Sequence, residues 1–510
     1  MSAFQQLLDH SQKVSHFEHL SAIVGWDQAA VMPSGGAEAR SNAMAELSVH
    51  IHSLMTQPRL GDLFAKAEEE NLSVEQSAVL REMKRDWQQA NLLPESLVQA
   101  QSLAGSKCEH AWRTQRGNND WQGFEKNWAE VVTLSREEAQ IRAEAKGVSA
   151  YDAMLDIYEP GTTTASLNQL FSDVKTWLPS MIDQAIEKQA SGQIQLPNGH
   201  YPAEKQKALG LDVMKLLQFD FEHGRLDESV HPFCGGVPSD VRITTRYDEK
   251  EFVQSLMGIV HETGHARYEQ GLPKAFAGTS AGQARSMGIH ESQSLFFEMQ
   301  LGRSPAFVDH LAQLATNYFQ GNEFNADNLA KIYTRVEKGY IRVDADELTY
   351  PAHVILRYEI ERDLMNGVIK HTDVPELWNE KMKSYLGLST EGNFKNGCMQ
   401  DIHWTESKCT VHNYKDGCLQ DIHWTQGAFG YFPSYTLGAM YAAQFMAAMK
   451  KTIDVDGAIR SGDLSPIFNW LSEKIWSKGS LLTTDELVKQ ATGETLNANY
   501  FKEHLRSRYL

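Results

Sequence analysis

Apolar residues recur along most of this chain at intervals of three and four, the spacing that lines one face of an α-helix. In the run 127–142 the stripe includes Trp128, Val131 and Val132, with charge filling the other faces. Runs of this kind follow one another from the first residue to about 195. They are interrupted at Pro33, Pro94 and Pro160-Gly161, where the missing N–H of proline stops a helix. Between Pro232 and Tyr247 the period falls to two: Val241, Ile243, Thr245 and Tyr247 alternate with Arg242, Thr244 and Arg246, which predicts a short strand. The helical period then returns through Phe252, Val253, Leu256, Met257 and Val260, with a stop at Gly271-Leu272-Pro273. Further helices are predicted from Ser286 to Glu298 and up to about Met365. Leu437 to Met449 is the most apolar stretch, but it is too short and too near polar flanks to span a bilayer, so a buried helix is expected. Trp470, Trp476 and Tyr500 are expected in the core. The pattern as a whole predicts a mainly α chain with a small β-sheet, and the fold expected for it is two lobes flanking a deep groove with that sheet beside the site.

Composition narrows the class. A chain of 510 residues could hold two or three domains, yet no Pro/Gly/Ser-rich linker or long charge run divides it, which favours one catalytic unit. Residues 1–195 then serve as helical scaffold and groove wall, and 196–510 carry the chemistry. Trp26 and Asp27 in the first part read as core packing and a helix cap. Lys+Arg 48 against Asp+Glu 66 leaves a net charge of -18, which disfavours nucleic acid and anionic membranes as partners. The first ten residues lack a basic n-region and an apolar h-region, so no secretory leader is expected. Cys108, Cys234, Cys398, Cys409 and Cys418 form no CxxC and are odd in number, as expected of reduced thiols in a cytoplasmic enzyme.

The candidate chemistry lies on the helix that follows the strand. His261-Glu262-Thr263-Gly264-His265 sets two imidazoles four residues apart on one helical face, where both can hold one metal ion, with Glu262 between them. A water polarised by zinc and hydrogen-bonded to that carboxylate is a nucleophile near neutral pH. A catalytic zinc site takes a third protein ligand and leaves a position open, and Glu291 on the next predicted helix is the candidate. His290 competes for the place, but it lies about 100° away around a helix, so only one of the two faces the metal squarely. Glu298, two turns beyond Glu291, is suited to support a ligand from behind.

The stretch from His261 to Pro273, followed by His290-Glu-Ser-Gln293, resembles the Taq-type metallocarboxypeptidases. His231-Pro-Phe233, Asp240 to Thr244, Ile341 to Asp346 and Gly417 to Trp424 resemble further signatures of that family, in the same order. The resemblance covers nearly the whole chain, from Gly25-Trp26-Asp27 onward. It implies a carboxypeptidase acting on peptides with a free C-terminus, zinc or cobalt at the site, and a homodimer. An oligoendopeptidase of related fold and a non-catalytic metal-binding or scaffold protein are the alternatives; Arg342 argues against the first and Glu262 against the second.

The remaining candidates concern substrate. A strand beside the metal offers an unpaired edge to an extended peptide, so Asp240 and Arg242 are candidates for substrate binding, their alternative being an internal salt bridge. His231 is a candidate for the same role or a satisfied loop residue. Arg342 is the candidate for the terminal carboxylate, which a planar guanidinium grips with two bonds. Residues 393–405 recur at 413–425 with 10 of 13 positions identical, a tandem duplication. Only the second copy runs directly into Gly430-Tyr-Phe-Pro433, as the family pattern does, so His423 takes the functional role, while His403 belongs to an insertion at 393–412. His423, Tyr431 and Tyr435 carry donors suited to the oxyanion that forms at the scissile carbonyl.

Overall fold

The computed structural model describes residues 1–229, 232–400 and 429–510. His231, His403 and His423 therefore lie outside the described residues. The N-terminal third is the expected succession of helices: α1 (Ala3–Ala30), α2 (Ala37–Met55), α3 (Arg59–Glu68), α4 (Val74–Leu92), α5 (Glu95–Gly117), α6 (Trp121–Lys146), α7 (Ala150–Tyr158) and α8 (Thr164–Gln189). Three of the seven breaks fall at Pro33, Pro94 and Pro160-Gly161; the others, after α2, α3, α5 and α6, were not marked by those sites. Ser73, Ser149 and Thr163 cap α4, α7 and α8 by accepting bonds from backbone N–H groups that the first turn leaves without partners. Asp27 does not cap α1; it pairs with Arg40 at 2.6 Å.

After α9 (Ala203–Leu216) come three strands, β1 (Gly224–Glu228), β2 (Phe233–Val237) and β3 (Asp240–Thr245), in the order β1-β3-β2. β3 pairs parallel with β1 and antiparallel with β2. This corrects the expectation of an unpaired edge on β3: it is the central strand, and the edges belong to β1 and β2. The hairpin between β2 and β3 closes tightly because Gly236 has φ +84°, and a Cβ there would sit 2.1 Å from the Asp240 carbonyl oxygen. Leu226, Cys234, Val241 and Ile243 bury the sheet against Ile259 and Ala266 of α10 (Val253–Gly271), the helix that carries the H-E-x-x-H spacing. The Glu251 carboxylate accepts from Val253 N–H at 2.6 Å and starts that helix.

The chain continues through α11 (Met287–Leu295), a π-helical stretch (Phe296–Gly302), α12 (Pro305–Phe319), α13 (Ala326–Tyr333), α14 (Tyr350–Met365) and α15 (Val374–Leu386). Beyond 428 lie α16 (Pro433–Met449), α17 (Val455–Ser461), α18 (Ser465–Lys474), α19 (Thr484–Thr492) and α20 (Asn499–Tyr509). α16 is the buried helix expected from its apolar run, and no described helix is long and apolar enough to cross a membrane. One hydrophobic core runs from Ala104 to Tyr509, so α5 to α8 belong to the same core as the helices after 195. α1, α3 and α4 hold a smaller core around Phe4, Leu60, Phe64, Val79 and Met83, and the sheet with α9 and α10 holds another around Met214, Val241 and Ile259.

Candidate metal centre

Three helices meet at the site, and two glycines set how closely they meet. α11 lies between α10 and α16. A Cβ on Gly264 would sit 2.6 Å from the Gln293 carbonyl oxygen of α11, and one on Gly438 of α16 would sit 2.7 Å from Glu291 Cγ. Ser286 accepts from Ile289 N–H at 3.0 Å and fixes the start of α11. The result is that His261, His265 and Glu291 each bring a ligand atom within 4.8 Å of the others. His265 Nε2 and Glu291 Oε2 are 3.5 Å apart, close to the roughly 3.4 Å that separates two ligands held about 2.1 Å from a tetrahedral centre. Two imidazoles and a carboxylate are the donors a divalent ion such as zinc takes, so the residues present fit a metal.

The field of the site also favours a cation. His261 Nδ1 lies 2.8 Å from Glu298 Oε2, and Glu298 is held in turn by Arg303 at 2.5 Å. Burial would lower the pKa of His261, but Glu298, Glu291 and Glu262 outweigh it and hold it up to about 10. Burial likewise opposes ionisation of Glu298, yet Arg303 and His261 draw its carboxyl down to about 2. Because the Glu298 carboxylate accepts, Nδ1 of His261 is the donating nitrogen, and Nε2 is the one that could face a metal.

Glu262 is 8% exposed and lies beside β2, whose Cys234 thiol is pushed well above its ordinary range by burial and then by Glu262 and Glu269. His290 does not compete with Glu291: its Nδ1 lies 2.6 Å from His265 Nδ1 and its Nε2 lies 2.9 Å from Glu269 Oε1. Glu269 was not among the expected residues, although its place four residues after His265 puts it on the same helical face and was the available signal.

The other candidates fall around this centre. Asp240 and Arg242, expected to bind substrate, grip each other at 2.6 and 2.8 Å, and the Arg242 guanidinium stacks 4.5 Å from the Trp26 ring. They take the internal role that was their alternative. Arg342 is 1% exposed; its Nη1 donates to the Tyr350 hydroxyl at 2.7 Å, and its guanidinium lies 5.1 Å from the Tyr435 ring and 5.4 Å from that of Phe432. Tyr431 and Tyr435 are buried with ring centroids 5.2 Å apart, and Tyr435 precedes Gly438 by one turn on the helix that touches Glu291. The first repeat copy is not wholly outside the fold, since Cys398, Met399 and Gln400 are buried and Gln400 Oε1 accepts from Arg342 N–H at 2.9 Å.

A mainly helical fold that gathers two histidines of an H-E-x-x-H helix and a glutamate of the next helix around one point is that of a metallopeptidase. The chain belongs to the family described as carboxypeptidase Taq (M32) metallopeptidase, which it matches over residues 6–410 and 407–509, the two stretches meeting inside the duplicated segment. It is 34% identical over 511 residues to carboxypeptidase 1 of Bacillus subtilis (strain 168), covering 99% of this chain and 97% of that protein. It is also 34% identical to thermostable carboxypeptidase 1 of Thermus thermophilus, covering 100% of this chain and 98% of the relative. Among solved structures, Trypanosoma cruzi metallocarboxypeptidase 1 superposes with a TM-score of 0.94 at 46% identity, over 99% of each chain. The M32 carboxypeptidase of Deinococcus radiodurans R1 superposes with a TM-score of 0.91 at 30% identity, over 99% of this chain and 98% of that one. The protein is a metal-dependent carboxypeptidase, and its substrates are peptides.

Proposed function

We propose that this enzyme removes C-terminal residues from peptides with His261, His265 and Glu291 as ligands of zinc, or of cobalt in its place. The convergence of those three donors beside Glu262 carries the reading. Such an ion acts as a Lewis acid toward water and the scissile carbonyl. Glu262 takes the proton from the attacking water on its carboxylate and delivers it to the leaving amine. Tyr431, Tyr435 and His423 are the proposed donors to the carbonyl oxygen as it gains charge. His231, two residues before the start of β2, is a proposed further contact to the substrate. The proposed site of action is the cytoplasm and the proposed assembly a homodimer, which sedimentation of the purified chain checks. In Glu262→Gln the amide keeps the shape and loses the proton acceptor. Metal content should stay at the wild-type level while turnover falls about 100- to 10,000-fold. Near-wild-type turnover in that variant overturns the mechanism.

Arg342 is the proposed partner of the substrate's terminal carboxylate, at a place where aromatic rings lower the local dielectric and strengthen a charged bond. Amidation of the substrate C-terminus should then cost about 30- to 1000-fold in kcat/KM. Arg342→Met should distinguish poorly between free and amidated peptides. Crossing the enzyme and substrate changes separates this coupling from general damage to a buried site. Equal cleavage of both peptides at internal bonds by the wild type would favour an oligoendopeptidase instead.

A further inference from the structure

His265 is held from behind by two residues from two helices. His290 Nδ1 lies 2.6 Å from His265 Nδ1, and Glu269 Oε1 lies 2.9 Å from His290 Nε2. An ionised carboxylate only accepts hydrogen bonds, so Nε2 of His290 carries a hydrogen and donates it to Glu269. A neutral imidazole has one N–H, which leaves Nδ1 of His290 as an acceptor. The hydrogen in the 2.6 Å contact therefore belongs to His265 Nδ1, and the lone pair of His265 is on Nε2, the atom 3.5 Å from Glu291 Oε2. We propose that Glu269 and His290 form a relay that fixes the tautomer and ring orientation of His265, making both of them positioning residues of the metal site. The proposal rests on the reading of His265 as a metal ligand.

Two features distinguish the relay from ordinary core packing. His261 is oriented by one carboxylate directly, whereas between His265 and Glu269 an imidazole from α11 has been inserted, although both ends of the relay lie on α10, four residues apart. That imidazole belongs to the residue next to Glu291, so the same backbone unit carries a proposed ligand and the support of another. The relay thereby couples the spacing of the two ligand-bearing helices to the lone pair that one of them presents. The His290 ring has little freedom to turn away, being 2% exposed and wedged between the His265 ring at 4.7 Å and the Tyr268 ring at 5.2 Å.

Glu269→Gln is the central test, because an amide can donate to His290 Nε2 as readily as it can accept. In the donating orientation His290 places its hydrogen on Nδ1 and turns His265 to the tautomer that has no lone pair at Nε2. The measurements are the zinc dissociation constant of the full-length protein by chelator competition, the visible spectrum of the cobalt-loaded protein, and the melting temperature of the metal-free protein. The expected result for Glu269→Gln is zinc binding weaker by about 10- to 100-fold, an altered cobalt spectrum, and metal-free melting close to wild type. His290→Phe should weaken zinc as well, and adding Glu269→Gln to it should do no further harm, since Glu269 acts through His290. His290→Asn, whose side-chain oxygen can accept from His265 by itself, should retain more zinc than His290→Phe. Wild-type zinc affinity and cobalt spectrum in both Glu269→Gln and His290→Phe overturn the relay. So does a loss of equal size in the presence and absence of His290. His265→Ala separates the two ideas: if it binds zinc as the wild type does, the ligand assignment fails; if it loses zinc while neither Glu269→Gln nor His290→Phe does, the relay alone fails.

Discussion

Glu159 shows how much of the site depends on residues that carry no motif. Its buried carboxylate accepts from Ser286 Oγ at 2.7 Å, from Ser434 Oγ at 3.1 Å and from Gly288 N–H, and so ties the first turns of α11 and α16 together. Burial has the largest effect and pushes its carboxyl up from 4.5 to about 7, against the pull of these donors and of Arg285. Below about 4.5 both folded and unfolded chains hold this proton, between 4.5 and 7 only the folded chain keeps it, and above 7 neither does. Stability from this group therefore falls as pH rises through that window, by about 3 kcal/mol. Glu159→Gln cannot titrate, so the stability difference between wild type and variant should shift by about this much between pH 4.5 and 7 in denaturant titrations. A constant difference across the window would show that Glu159 is already ionised at the lower pH. Nothing in the sequence marks this residue, because its three partners lie more than 120 positions away. The convergence of His261, His265 and Glu291 was legible because metal chemistry demands particular residue types at helical spacing, and the contact of Glu298 with His261 followed from the same period. A hydrogen bond across the fold has no such period.

Helical periodicity also made the elements legible, though not their neighbours. α10, α14 and α16 stand where the pattern placed them. The small sheet is present as expected, but its edge was assigned to the wrong strand, because only the central strand alternates; β1 reads Gly-Arg-Leu-Asp-Glu and β2 reads Phe-Cys-Gly-Gly-Val, and neither has the period that announces a strand. The packing of α10, α11 and α16 rests on Gly264 and Gly438, whose importance appears only when the helices are seen side by side. Gly438→Ala would set a methyl group 2.7 Å from Glu291 Cγ and 2.8 Å from its Cβ, and 3.1 Å from its backbone carbon. Such overpacking costs about 1–3 kcal/mol and moves whichever group yields first, here the candidate ligand itself. Melting temperature and zinc stoichiometry should both fall. Gly258→Ala is the control within α10: nothing lies within 4 Å of its new methyl, and alanine there should raise stability by up to about 1 kcal/mol. If Gly438→Ala keeps full zinc and wild-type melting, α16 does not fix the position of Glu291.

At the scale of the whole molecule the duplicated segment is the feature that family membership does not explain. The first copy enters the core through Cys398, Met399 and Gln400, and the second leaves through Phe429, Tyr431 and Phe432, all buried. The proposed boundary of the extra segment therefore moves from 393–412 to a repeat-length stretch beginning after Gln400. Deleting residues 401–420 joins Gln400 to Asp421 and restores a single Gly-Cys-Met-Gln-Asp-Ile-His-Trp stretch running into Gly430-Tyr-Phe-Pro433. Each doubling of a connection changes the closure cost by only about 0.6 kcal/mol, so the fold should survive the deletion with peptidase activity retained. His423 is then the only copy of that histidine. His423→Ala in the shortened chain should lower turnover by about one to three decades, as loss of an oxyanion donor does. In the full-length chain the same substitution should cost as much, and His403→Ala should be nearly silent, if the second copy alone serves the site. A full-length His423→Ala enzyme that stays active while the shortened one fails would show that His403 substitutes for it, and that the two copies are interchangeable.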